Sequence, residues 1–123
     1  MNRLSLLLIF VFTLIFAGCG TNNPDVINGK YEIIGGSDSI EMNKESWSVT
    51  FEGKMKNLTG KELTACKITI SVYDIDGVQL GTAVDRITYM DIDGVWAFKA
   101  EYFGDPESVA SFRVSEIWSV PKR

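Results

Sequence analysis

Residues 27–123 predict an all-β fold, an antiparallel two-sheet β-sandwich of about seven strands. Three observations predict it: clean apolar/polar alternation of period two, turn residues at close intervals, and almost no helical periodicity. A small closed barrel is the alternative this pattern allows.

The elements follow in order. "KYEII" (30–34) is a first strand closed by Gly35-Gly36, and "DSIEM" a short second one. "SWSVTFEGKMKN" puts Trp47, Val49, Phe51 and Met55 on one face, with Ser48, Thr50, Glu52, Lys54 and Lys56 on the other. Gly53 falls on the inner face without a side chain, which suggests a bulge or close packing from the opposite sheet. After the loop "NLTGKE", the strand "LTACKITISVYD" points Cys66, Ile68, Ile70 and Val72 inward, and residues 78–90 allow one further strand. "VWAFKAEY" opposes Trp96, Phe98, Ala100 and Tyr102 to Ala97, Lys99 and Glu101. "GDPES" turns the chain, and "VASFRVSEIWSV" closes it with Ala110, Phe112 and Val114 inside and Ser111, Arg113 and Ser115 outside. The core is expected to rest on Trp47, Phe51, Trp96, Phe98 and Phe112, with Lys54, Lys56 and Lys99 protecting sheet edges. Trp118 fits either the core or an exposed contact.

Residues 1–18 belong to a different regime. Arg3 is the one charge in "MNRLSLLLIFVFTLIFAG", and the apolar run Leu4–Phe16 is broken only by Ser5 and Thr13. As a helix it would span about 20 Å, short of the ~30 Å hydrocarbon core, so an export signal is expected rather than a membrane span. The segment ends in "FAGC", which resembles the lipobox of bacterial lipoprotein signal peptides. That likeness implies cleavage between Gly18 and Cys19 and a diacylglyceryl thioether on Cys19, holding the protein on the extracytoplasmic side of a cell membrane or outer membrane. Two acyl chains anchor stably, since each buried CH₂ contributes ~0.8 kcal/mol and one chain binds only marginally. Residues 19–26 are then the lipidated cysteine and a polar tether, and 27–123 the domain.

Composition narrows the chemistry. The chain has no histidine and only two cysteines. Without Arg3 its 12 basic residues become 11 against 16 acidic ones, a net charge of −5. An acidic domain has no electrostatic footprint for nucleic acid. Cys66 lacks a histidine base and reads as a small buried hydrophobe. No catalytic, cofactor-binding or metal-ligating set is expected.

"ISVYDIDG" (Ile70–Gly77) is similar to the signature of the FxLYD family, with Tyr73 and Asp74 matching and Ile70 and Val72 in place of phenylalanine and leucine. The resemblance extends to Gly53 and Asn57, to Gly94 and Phe98, and to "VASFRVSEI", covering about residues 47–117. It implies an immunoglobulin-like β-sandwich of the bacterial cell envelope, with no known catalytic residue and no established ligand.

"YDIDG" (73–77) and "MDIDG" (90–94) raise the question of calcium. The ion needs ~6–8 oxygen ligands, whereas Asp74 with Asp76 and Asp91 with Asp93 offer two acids each. Asp76-Gly77 and Asp93-Gly94 read as turns, with glycine taking positive φ and aspartate bonding the turn backbone. The leading expectation is a non-enzymatic envelope module that binds or supports another envelope protein, through an edge strand. The alternatives are a small-ligand or calcium carrier and, less favoured, a Ser/Lys hydrolase, for which no G-x-S-x-G motif appears.

Overall fold

The computed structural model describes residues 26–123; the expectations for Gly18, Cys19 and the rest of the signal and tether lie outside them. Eight strands form: β1 (Val26–Ile27), β2 (Tyr31–Ile33), β3 (Glu41–Lys44), β4 (Ser48–Asn57), β5 (Leu63–Tyr73), β6 (Gln79–Ile87), β7 (Val95–Phe103) and β8 (Ser111–Pro121). β1 thus begins one residue before the expected domain boundary.

All pairings are antiparallel, and they build two layers. β1, β2 or β3, β4 and β7 make one; β6, β5 and β8 make the other. β4 pairs with β7 and β5 with β8, so the chain crosses between layers at β4–β5, β6–β7 and β7–β8. This is an immunoglobulin-like connectivity, joined by strand pairing on one side and bridged by side chains at one point on the other. On one side the layers share the single register pair Val84↔Glu101. There the Asp85 carboxylate replaces missing ladder bonds: Oδ2 accepts from Lys99 N–H (2.7 Å) and Oδ1 from Arg86 N–H (2.8 Å). On the other side the Tyr31 and Ser119 hydroxyls meet at 2.5 Å.

Alternation delivers the core as expected along β5, where Cys66, Ile68, Ile70 and Val72 are all buried. Val49, Phe51 and Met55 meet them from β4, Trp96, Phe98 and Ala100 from β7, and the tilted rings of Phe51 and Phe112 meet across the layers with centroids 4.8 Å apart. Several expectations need correction. Trp47 is 76% exposed, because it lies in the β3–β4 turn, where Glu45 N–H bonds Ser48 O, and not in the strand. Ala110 precedes β8 and is exposed. Outward-facing Ser48 and Thr50 are buried, and the Thr50 hydroxyl has no partner. Lys54, Lys56 and Lys99 protect no edge: β4 is paired on both sides, and β7 lies between β4 and β6.

The "DSIEM" segment (38–42) is divided: Asp38 and Ser39 end a 3₁₀ turn (Ser37–Ser39), and Glu41 and Met42 begin the short strand expected here, which runs on to Lys44 as β3. β2 and β3 run in the same direction along β4, as one edge interrupted between Ile33↔Met55 and Glu41↔Glu52. The interruption tucks Ile40 into the core beside Gly53. The register at Gly53 is regular, with no bulge. A Cβ there would lie 2.9 Å from Phe98 on the neighbouring strand and 3.2 Å from Ile40, so the crowding comes from within the layer and not from the opposite sheet.

β8 carries a bulge at Ser115: Glu116 pairs with Thr69 and Val114 with Ile70. The extra residue flips the alternation. Phe112 and Val114 face in, then Ile117 is buried and Trp118 turns outward.

Asn57 is fully buried at the end of β4 and uses its whole amide. Its Nδ2 donates to Lys61 O (2.8 Å) and Asp91 O (2.9 Å). Its Oδ1 accepts from the Thr59 N–H (3.0 Å) and hydroxyl (2.7 Å). Asn57→Ala removes four hydrogen bonds and leaves a cavity at a fully buried position, and it is expected to cost about 3 kcal/mol, with a matching fall in urea midpoint. Thr50→Val removes the orphaned hydroxyl at nearly constant shape, and a gain of about 1 kcal/mol is expected in the same unfolding experiment.

Candidate binding surfaces

The strand ends define two poles. The first carries residues 45–47, 74–78 and 104–110; the second carries 28–30, 58–62 and 88–94. The two acidic pentads therefore lie at opposite ends of β6, about 30 Å apart at ~3.4 Å per residue.

In the first pentad, Asp74 Oδ1 accepts from both Asp76 N–H and Val78 N–H at 2.9 Å, while Gly77 adopts φ 82°. Its carboxylate is engaged by the turn itself. The second pentad departs from expectation. Asp93, not Gly94, takes positive φ, at 60°. Gly94 is needed for room: a Cβ would lie 3.0 Å from Asp91 O and 3.1 Å from Asp91 N. Among the described residues, no three His, Cys, Asp or Glu side chains are grouped to hold a metal ion.

Cys66 is a free thiol sealed between the layers. Burial pushes it up to about 11, against only slight relief from a backbone N–H at Lys67. At the second pole Glu62 accepts from Tyr89 Oη (2.6 Å) and Lys122 Nζ (3.1 Å), tying the C-terminal residues to the β4–β5 connection. Those bonds hold the Glu62 carboxyl below its usual range, and the carboxylate pushes Tyr89 up to about 12.

Edges offer little to an added strand. β3 is four residues long and carries Glu41 and Lys44. The free side of β8 is broken by its bulge and bears Arg113 and Glu116. Short, charged or bulged edges resist pairing.

Exposed apolar groups concentrate elsewhere. At the first pole Trp47 and Phe103 are 76% and 75% exposed. They sit on adjoining strand ends, since Ser48 pairs with Phe103 and Gly104 N–H bonds Trp47 O at 3.1 Å. Ile75 (84% exposed) and Val78 crown the β5–β6 turn at the same pole. Ordinary alternation explains none of these positions, because all lie in turns or at strand ends.

A different surface lies on the outer face of the β6-β5-β8 layer. Register places Arg86, Lys67 and Trp118 in one row across three strands. Trp118 is half exposed, and with Ala65, Thr88 and Glu116 the row lines an open groove of about 340 Å³. Among the described residues neither cation has a carboxylate within 4.0 Å. No sequence signal marked this row, because it depends on the Ser115 bulge.

No family model matches the chain, and no curated protein does. Among solved structures it is similar to IrmA from Escherichia coli, at 13% identity and a TM-score of 0.44, over 68% of this chain and 79% of that one. A likeness so slight carries no inference about function.

Calcium at millimolar concentration is expected to leave the melting temperature unchanged, while Asp74→Ala lowers stability by about 1 kcal/mol with or without the ion. A calcium-induced rise lost in Asp74→Asn with Asp76→Asn contradicts this. Cys66 keeps its proton in the fold, whereas the unfolded chain ionises near pH 8.5. Its contribution to stability is therefore intact below that pH and lost as pH climbs toward about 11. Thiol reagents at pH 8 should label Cys66 only in denaturant.

Proposed function

We propose that the chain is a lipid-anchored extracytoplasmic β-sandwich module that binds another component of the bacterial cell envelope. The observation that carries this reading is the exposure of Trp47 and Phe103, two large aromatics about three-quarters exposed on adjoining strand ends at one pole, with Ile75 and Val78 exposed at the same pole. Large apolar side chains gathered at one exposed end of a domain are the kind of surface that marks interaction sites. Aromatic residues supply large contact area and dominate binding energy at protein interfaces.

The anchor belongs to the same proposal. The "FAGC" lipobox, the apolar run before it and the polar tether support lipidation at Cys19, and the FxLYD likeness supports an envelope setting. The bulged and charged edges favour the aromatic pole over strand addition as the means of binding.

Two measurements test the reading. Cells fed a clickable fatty acid should label the wild-type protein in the membrane fraction, and Cys19→Ser should abolish the label and release the protein. Photo-crosslinking in intact cells should capture one envelope protein reproducibly from wild type. Trp47→Ala with Phe103→Ala should lose that capture while the melting temperature stays within a few degrees. A Cys19→Ser protein that remains membrane-bound, or capture indifferent to the double substitution, overturns the proposal.

A further inference from the structure

The groove on the outer face of the β6-β5-β8 layer is independent of the aromatic pole, and its side chains have a chemistry of their own. Trp118 is a large flat apolar surface, half exposed and turned outward by the Ser115 bulge. Bulges recur where a side chain must be re-aimed. A regular strand would have placed this indole on the inner face and another residue here.

Beside it, the row continues with Lys67 on β5 and Arg86 on β6, at interstrand steps of about 4.8 Å. Both cations lack a partnering carboxylate among the described residues. Residues 27–123 hold 11 basic and 15 acidic side chains, a net charge of −4, so two cations side by side in one groove run against the sign of the domain. An arginine fork and a neighbouring ammonium together recognise carboxylate. Thr88 and Glu116 add a hydroxyl and a hydrogen-bond acceptor at the groove wall, and Ala65 leaves room between them.

We infer that this groove binds a carboxylated sugar ring of an acidic glycan. A pyranose presents an apolar face of axial C–H groups, which an indole covers while its edges stay wet. Its equatorial hydroxyls meet Thr88 and the Glu116 carboxylate. A carboxylate at the ring edge meets Lys67 and Arg86. The volume lies at the lower end of small-molecule pockets (about 300–1,000 Å³) and suits a few rings of a chain. A protein partner would need roughly 800 Å² from this side, more than a groove of eight lining residues supplies.

The second large hollow does not compete. It opens where β2 and β3 are interrupted, with a volume of about 510 Å³, and its Glu41, Glu52, Lys54 and Lys99 balance one another in sign.

The test titrates the purified full-length protein with a linear tetramer of galacturonic acid, a tetramer of glucose, and a poly(glycerol phosphate) that carries charge without a ring. Calorimetry reads affinity, and nuclear magnetic resonance reads which amides shift. The acidic tetramer should bind at least about tenfold more tightly than the neutral one, with an affinity that weakens as salt rises. Shifts should map to β5, β6 and β8 around Trp118. Trp118→Ala should abolish binding of both tetramers. Lys67→Ala with Arg86→Ala should reduce the acidic affinity to the neutral level. All three side chains are at least partly exposed, so the variants should fold, and Trp118→Phe should retain part of the binding. Equal affinity for the two tetramers, comparable binding of the ringless polymer, binding indifferent to Trp118, or no saturable binding at millimolar concentration each overturns the inference. None of these outcomes bears on capture through Trp47 and Phe103.

Discussion

Everything at the second pole depends on one buried amide. The chain must pass between the layers three times, and two of those passages, β4–β5 and β6–β7, occur at this pole. Asn57 bonds both: through Lys61 O and Thr59 it shapes the first, and through Asp91 O it holds the second. Its own N–H bonds Gly94 O at 2.9 Å, which completes the clasp. A buried amide with all four bonds made rigidifies its surroundings, whereas the same group half satisfied would be costly. That asymmetry fixes where β5 and β7 begin, and hence their register against β4, β6 and β8. The "MDIDG" pentad is accordingly part of the clasp. Asp93 accepts left-handed backbone, and Gly94 N–H bonds Asp91 O at 2.9 Å, where a Cβ would lie only 3.0 Å from that oxygen.

The layers were legible because alternation is a local signal. Ile68, Ile70 and Val72, and likewise Trp96, Phe98 and Ala100, declare their face through neighbours two residues away, and the structure buries all six. The sequence reading failed wherever a face is decided by something non-local. Trp47 shares the parity of Val49 and Phe51, but parity holds only within the strand, and β4 begins one residue later than alternation suggests. Trp118 depends on a bulge, which no residue type at Ser115 announces. Lys54, Lys56 and Lys99 look like edge guards until strand order is known, and strand order is a property of the whole chain. Gly53 was correctly singled out, yet the crowding atoms belong to Phe98 and Ile40 on flanking segments rather than to the facing layer.

Both surfaces offered for binding owe their existence to the same departures. Trp47 and Phe103 escape the core because a hairpin and a strand end there; Trp118 escapes because β8 gains a residue. The filled core leaves recognition to the outside, and the two surfaces differ in kind. One is apolar and terminal, the other a ridge of indole and cations lying flat across three strands. With the two surfaces at its tip and its flank, the protein could engage a protein and a glycan without either contact obstructing the other.

The Ser115 bulge has one more consequence, which concerns life on a surface. Molecules confined to a lipid sheet meet one another at effective concentrations far above those of free solution, because diffusion is planar and tethers hold them at similar heights. An eleven-residue strand with an open side is, under those conditions, a template for end-to-end ribbons of its own kind. The inserted residue breaks the row of donors and acceptors midway, leaving stretches too short to hold a second copy. A bulge of this kind thereby keeps neighbouring copies apart.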